Sequence, residues 1–357
     1  RFMTTVTYPY DEQTQSWTST SSYPNTKLKP ERTKSWEVGL DARILNDISL
    51  NLTYYRSNTY NQTFYADLSL SSGYSNIPIQ SGNIMNEGLE MSLGYNKQWK
   101  DFSFNTNYTL TWNKNRVKRL ADGVYNYATG QPIQMPELSP LTYGHTDARL
   151  ILRVGGSMGD VYGQRLLKRD LNGYILNEEG VGLAMENKET YLGSILPKMN
   201  MGWSLGFGYK GVNLGMTFTG RFGGIVISET QSVLDAAGVS KVSADVRDAG
   251  GVQINQSKVS AQTYYQTIQG TAAYYTYSAT NVRLGELSLS YTLPKKWFDN
   301  KVGMTVGLVG KNLWMIYCKA PFDPELTTSA ASNFYQGFDA YMLPSTRNFG
   351  FNVKFQF

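Results

Sequence analysis

The chain has 357 residues, with 33 Lys and Arg against 28 Asp and Glu, one His and one Cys. Charged residues make up 17%, where a soluble domain has about a quarter, and a lone cysteine excludes both an internal disulfide framework and a four-cysteine metal centre. The net charge of +5 is not clustered, which argues against a nucleic-acid surface, and no apolar run nears the roughly 18 residues of a membrane helix. A membrane-spanning strand needs no such run, because only alternate residues face lipid.

Residues 1–10 read as a strand weakened by Pro9, and residues 11–32 as a loop rich in Ser, Thr, Gln and Pro. A hairpin follows. Trp36, Val38, Leu40, Ala42 and Ile44 alternate with polar or small neighbours, Asn46-Asp47 turns the chain, and Ile48, Leu50, Leu52 and Tyr54 alternate on the return, which runs on toward Ala66. Residues 67–83 form a loop. Leu89, Met91, Leu93 and Tyr95 then pair across a short turn with Phe102, Phe104, Tyr108, Leu110 and Trp112. After a long loop over 117–146, residues 147–155 are expected to pair with 160–168 as another hairpin of the same wall, and a further long loop fills 169–198.

Met201, Trp203, Leu205, Phe207 and Tyr209 alternate next, reverse near Lys210-Gly211, and return through Val212, Leu214, Met216 and Phe218. Residues 228–278 read as the longest loop. Val282 and Leu284 are apolar at even positions, whereas Leu287, Leu289 and Tyr291 are apolar at odd ones, so the slip at Gly285-Glu286 predicts a β-bulge. A turn over 294–300 leads to Val302, Met304, Val306 and Leu308, and a loop over 318–343 precedes the last strand. There Phe349, Phe351, Val353, Phe355 and Phe357 share one face, with Gly350, Asn352, Lys354 and Gln356 on the other.

Two regularities emerge. Connections alternate between short and long, and if the terminal strand ends in the periplasm every long loop falls outside and every short turn inside. Tyr54, Tyr55, Tyr95, Trp99, Trp112, Tyr209, Tyr291, Trp297, Trp314 and Tyr317 gather near strand ends, as interfacial girdles do. These features predict an all-β fold, an antiparallel transmembrane β-barrel. It counts about eleven strands, or twelve with the first segment. An open sheet of that size leaves two unpaired edges that hydrocarbon does not tolerate. The chain is therefore either a complete barrel or half of one with roughly 22 strands, the size of plugged outer-membrane transporters. The lack of a signal peptide at Arg1 and the start in mid-strand favour the half barrel. A self-contained outer-membrane pore or barrel enzyme is the second reading, and a secreted soluble glycan-binding β-protein the third.

Several stretches, in order, resemble the SusC/RagA-type TonB-dependent outer-membrane transporters. They are NTKLKPERTKSWEVGLDARILNDISLNLTYYRS, DVYGQR, LPKMNMGWSLGFGYKGVNLGMTFTGRFG, NVRLGELSLSYTLPKKW, VGLVGKNLWMI, APFDPEL and LPSTRNFGFNVKFQF. Lys29-Pro30-Glu31 departs from the family's Lys-Trp-Glu, and its acidic loop survives only as Asp170, Asn172 and Gly173. The resemblance implies that residues 1–357 are the C-terminal part of such a barrel, without the plug domain, TonB box and N-terminal extension. It implies active import of large nutrients, oligosaccharide or peptide, across the bacterial outer membrane. A SusD-like surface lipoprotein would act as lid and the TonB complex would power release; a dimer of transporter–lipoprotein pairs is part of the same expectation. Outer-membrane lipid would surround the wall, and Asn105, Asn107, Asn213 and Thr217 would keep the lumen wet. Tyr264, Tyr265, Tyr274, Tyr275, Tyr335, Phe338 and Tyr341 are the expected substrate- or partner-binding loop residues. Phe349, Phe351, Val353, Phe355 and Phe357 would form the barrel-closing strand.

Enzymatic chemistry is not expected. His145 and Asp147 lie two apart, but this is the only His and no nucleophile motif accompanies it. Asp170-Leu171-Asn172-Gly173 with Glu178-Glu179 has the wrong spacing for a calcium loop, because Tyr174 stands where a ligand is needed. The glycines of residues 220–224 precede no predicted helix, so they make no phosphate cradle. Cys318 reads as an inert strand-end residue. No cofactor and no metal is expected.

Overall fold

The computed structural model describes residues 10–11, 16–17, 28–67, 74, 76–80, 82–120, 137–178, 182–254, 257–299, 301–326, 328 and 333–357. Its main element is a nine-stranded antiparallel sheet in which every strand pairs with its neighbours along the chain. The strands are β1 (Arg32–Ile44), β2 (Ile48–Tyr60), β3 (Asn83–Trp99), β4 (Phe102–Arg119), β5 (Met199–Tyr209), β6 (Val212–Phe222), β7 (Asn281–Thr292), β8 (Gly303–Cys318) and β9 (Asn348–Gln356). The sheet is not closed: β1 and β9 are its edges.

Tight turns join alternate pairs. Leu45 and Asn46 take φ of 50° and 58° between β1 and β2, and Lys210 and Gly211 take 45° and 90° between β5 and β6. Consecutive positive φ values match the right-handed strand twist, which is why Asn and Gly stand there. At the other end the connections are long and carry structure of their own. After β2 the chain breaks at Asn61, so the expected run-on to Ala66 becomes a separate short hairpin, Thr63–Asp67 with Asn76–Gln80. The expected pair at 147–155 and 160–168 does form, as Arg149–Arg153 with Asp160–Leu167. It belongs, however, to a four-stranded sheet with Glu137–Thr142 and Met185–Ser194, outside the wall. Its residues explain the difference: Leu150 and Leu152 are fully buried and Ile151 nearly so, which is a strand covered on both faces and not a lipid-facing alternation. Residues 1–9 of the first expected strand lie outside the described residues. The stretch expected as one long loop, 228–278, holds three helices: α1 (Glu229–Ala236), α2 (Lys241–Asp248) and α3 (Ala261–Ile268). Each is capped by a serine, Ser228, Ser240 and Ser260, whose hydroxyl accepts a backbone N–H of the first turn. None is long and apolar enough to cross a membrane.

The register sorts the wall into two faces. One row across it runs Trp99, Phe102, Tyr209, Val212, Tyr291, Val306 and Val353, and the next Phe104, Phe207, Leu214, Leu289, Leu308 and Phe351. The intervening rows, on the opposite face, are small and polar. On the apolar face the side chains stand in the open: Leu308 is 64% exposed, Phe351 79% and Phe357 97%. Exposure on that scale is tolerated only where something apolar covers it. The buried core lies elsewhere. Its three largest clusters centre on Leu152, Tyr143 and Tyr265, in the long connections, and take only Ile84 and Val117 from the wall strands. These clusters pack on the polar face, which is therefore the inside, and they cap one end of it.

The alternation makes a sharp prediction. Leu287→Arg, opposite Met216 and two rows in from Tyr291, places a charge on the lipid side and should cost about 2–4 kcal/mol near mid-wall. Ser288→Arg, one residue away and facing inward, should cost far less. Assembly yield in the membrane fraction and thermal unfolding in detergent read the difference, and equal losses would contradict the assigned faces.

Candidate functional site

The inner face is built from short polar side chains. One row reads Ser103, Gly208, Asn213, Ser290, Gly307 and Asn352; the next Asn105, Gly206, Gly215, Ser288, Val309 and Gly350; the third Asn107, Ser204, Thr217, Glu286, Lys311 and Asn348. The four residues expected to keep the lumen wet, Asn105, Asn107, Asn213 and Thr217, all lie in these rows. The hydroxyls and amides bond laterally, Ser92 Oγ to Asn107 Oδ1 at 3.1 Å and Ser204 Oγ with Thr217 Oγ1 at 3.4 Å. Glycines let neighbouring side chains lie flat: a Cβ on Gly215 would come within 2.6 Å of Ser288 Oγ. The result is a broad surface of hydroxyl, amide and bare backbone that exchanges hydrogen bonds with water or with a polar solute.

The cap is fixed to this wall by a few polar clamps. At the top of β7, Arg283 Nη1 and Nη2 donate to Asp323 Oδ2 and Oδ1 at 3.0 and 2.8 Å, and Glu325 Oε2 lies 3.3 Å from Nη2. Asn281 Oδ1 accepts from Arg283, and its Nδ2 donates to Glu325. The expected bulge makes the clamp available. Thr217 pairs with Glu286 but Phe218 pairs with Leu284, so Gly285 is the extra residue. Below it the odd residues of β7 face lipid, and above it the even ones do. Without the slip, Arg283 would point into the membrane; with it, the guanidinium reaches the loop inside. Burial alone would raise the Asp323 carboxyl, but the Arg283 hydrogen bonds and charge outweigh it and hold the group below its ordinary value.

Asp147 is a clamp within the cap. Its Oδ2 accepts from the backbone N–H of Gln164 and Arg165 at 3.1 and 2.7 Å, and its Oδ1 from Ala272 N–H at 2.6 Å. It thus joins the four-stranded sheet to the segment after α3. His145 is exposed, and its backbone N–H meets Glu229 Oε2 at 3.3 Å. Asp170 Oδ1 closes a turn by accepting from Asn172 N–H and Tyr174 N–H. Cys318 Sγ donates to Ala320 O at 3.4 Å. Among the described residues no group of three or more His, Cys, Asp or Glu is placed to hold a metal.

The seven loop aromatics fall in three places. Tyr264, Tyr265, Tyr274 and Tyr275 share the cluster around α3; Tyr265 and Tyr275 are buried, and Tyr264 and Tyr274 half-buried. Tyr335 and Phe338 pack on Tyr143, whose hydroxyl donates to Phe334 O at 2.6 Å. Phe338 is buried and Tyr335 half-buried. Tyr341 is 59% exposed, with its N–H on Thr230 Oγ1 and its hydroxyl 3.3 Å from Glu229 Oε1. Of the residues expected to form a closing strand, Phe349, Phe351, Val353 and Phe355 line the apolar face of edge strand β9, and Phe357 follows its end.

A family model described as the TonB dependent receptor-like β-barrel matches residues 4–313. The chain belongs to that family. It is 26% identical, over 94% of its own length and 35% of the relative's, to TonB-dependent receptor P3 of Formosa agariphila. It is 28% identical over 32% of its length, and 12% of the relative's, to TonB-dependent receptor SusC of Bacteroides thetaiotaomicron. Among solved structures, a chain of the RagAB peptide importer in its closed-closed state superposes with a TM-score of 0.65 at 18% identity, covering 99% of this chain and 38% of that one. The chain thus spans about a third of the length of the long relatives it matches. Membership accounts for the open sheet: the nine strands are part of a barrel wall. It also accounts for the faces, apolar toward lipid and polar toward the lumen.

The Arg283 clamp yields a testable consequence. Arg283→Met leaves the Asp323 side chain without its counter-charge in a buried setting and should cost about 3–5 kcal/mol locally. Limited proteolysis of residues 319–347 would report it. Because the folded Asp323 value is depressed, its stabilisation is present above the unfolded value of about 3.9 and is lost as pH falls through the folded one. Protease resistance of this loop should be flat at neutral pH and drop below about pH 4, and Asp323→Asn should abolish that step.

Proposed function

We propose that the chain forms part of the wall and the folded outer cap of an importer of large polar nutrients in a bacterial outer membrane. The observation that carries this reading is the inner face: successive rows of Ser, Thr, Asn and Gly across six strands, roofed by a cap that is clamped to the wall but distinct from it. A wall of small hydroxyls and amides suits a cargo that carries many hydrogen-bonding groups, an oligosaccharide or a peptide. The matched relatives are named as receptors, and one neighbour as a peptide importer, which supports transport over catalysis.

In this reading a surface lipoprotein of the SusD/RagB type lies over the cap, and the TonB complex, engaged through parts of the protein beyond the residues described, drives release of cargo. The rest of the wall and the plug domain come from chain outside these strands. Tyr341 and the half-buried Tyr335, Tyr264 and Tyr274 offer ring faces to the lipoprotein or to cargo. Tyr265, Tyr275 and Phe338 act from beneath, by holding those rings in place.

The decisive experiment uses the full-length protein in its native outer membrane. Detergent extraction followed by denaturing mass spectrometry should return the barrel chain with a lipoprotein. Uptake of a labelled oligosaccharide or peptide should cease when the inner-membrane proton gradient is collapsed. Extraction without a lipoprotein, together with uptake insensitive to the gradient, would replace the importer with a passive pore. Tyr341→Ala should weaken lipoprotein retention or uptake about ten-fold, as loss of an anchoring aromatic does; no change in either would remove Tyr341 from the contact surface.

A further inference from the structure

The wall is interrupted at one place. β5 pairs with β4 only as far as Met199 opposite Trp112, and Asn113 N–H then bonds Lys198 O. Val117 meets a different segment, its N–H on Gly156 O and its carbonyl accepting from Gly155 N–H. Between Asn113 and Val117 no strand of the described residues lies along that side of β4. Asn115 spans the gap with its side chain, accepting from Met158 N–H at 2.7 Å. A cavity of about 540 Å³ opens there, lined by Lys114, Arg116, Tyr191 and Lys198 over a floor that includes Gly156 and Gly224.

The break lies one to five residues beyond Trp112, just past the aromatic girdle, and the lipid-facing rows beside it are basic. One row reads Trp36, Arg56, Glu87 and Lys114, and the next Lys34, Asn58, Met85 and Arg116. Four cations thus stand against one acid. Lys114 lies 3.8 Å from Glu87, while Arg56 and Arg116 have no ion pair among the described residues. Lys34, Lys114, Arg116 and Lys198 are exposed, Arg56 is half-buried, and the nearby Asp160 is buried and occupied by Ser157 N–H and Tyr191 Oη.

We propose that this break is a docking site for the phosphorylated headgroup of an outer-leaflet lipid, its phosphate held by Lys114 and Arg116, which line the cavity. The inference rests on reading the wall as membrane-embedded. A gap in a barrel wall at the membrane surface leaves backbone groups that apolar tails cannot satisfy, whereas a phosphate and its polar neighbours can. Guanidinium groups match phosphate geometry, and basic residues at a membrane surface attract anionic lipid.

Native mass spectrometry of the full-length, delipidated protein in detergent tests the proposal. Lipid A carrying phosphates should bind, and dephosphorylated lipid A should bind at least about five-fold less, a factor of that size following for each cation that loses its phosphate. The K114Q/R116Q variant should bind both lipids alike. Equal binding of the two lipids by the unaltered protein would overturn the proposal without recourse to any variant. Displacement of the phosphorylated lipid by inorganic phosphate alone would reassign the site to free phosphate. Failure of uptake or of lipoprotein retention would instead count against the importer reading, since neither enters this measurement.

Discussion

In hydrocarbon, every backbone N–H and C=O must find its partner inside the protein. The wall meets this demand through a ladder that runs from β1 to β9 in sequence order, each strand paired with the ones before and after it. The rest of the molecule follows from that ladder. Its period of two sends Phe and Leu to one side and Asn, Ser and Gly to the other. Its antiparallel sense puts all tight turns at one end and all long connections at the other. Its two edges require further strands, as expected of a chain that spans about a third of its relatives.

A wall so built has little core of its own, because one face meets lipid and the other the lumen. Its stability comes from hydrogen-bonded pairing and from lipid contact, as the exposure of Phe349 and Phe351 shows. The cap obeys the rules of a soluble domain. Ile227, Tyr143 and Phe338 pack on one another, and serines cap the helices. Burial raises the Tyr143 and Tyr275 hydroxyls far above their ordinary value. Two kinds of folding thus meet in one chain, and the residues between them are polar: Arg283 with Asp323, and Asn115 with Met158.

The sequence made the wall legible and the cap much less so, for a physical reason. Alternation is a local signal; β5 and β9 carry it without interruption, and β4 carries it from Phe102 to Trp112 with one polar residue, Thr106, on the apolar face. The slip at Gly285 was equally plain, since a bulge must shift the parity of the apolar residues. The cap strands around Leu150 and Val161 are buried on both faces and so lose the alternation; assigning them to the wall added a pair of strands, which leaves the inside–outside parity unchanged. Parity therefore could not detect the error. The helices left one readable mark, Ser228 followed three residues later by Gln231, a capping pair whose first member accepts the other's N–H. The aromatics of 264–277 were visible, but whether a ring points inward or outward depends on contacts distant in sequence, such as Tyr274 Oη accepting from Leu167 N–H.

The bulge shows how the wall serves the cap. A regular β7 would hold Arg283 on the lipid side, where a charge is costly, and the loop bearing Asp323 and Glu325 would have no anchor. One glycine, inserted where the pairing passes from Glu286 to Leu284, turns the upper strand over. The apolar face stays unbroken, because Leu284 and Val282 take over the lipid side as Arg283 leaves it. The same residue change that preserves the membrane surface thus brings a guanidinium inside. In this barrel the irregularities, Gly285 and the gap beside Asn115, are the points at which a repetitive ladder acquires specific chemistry.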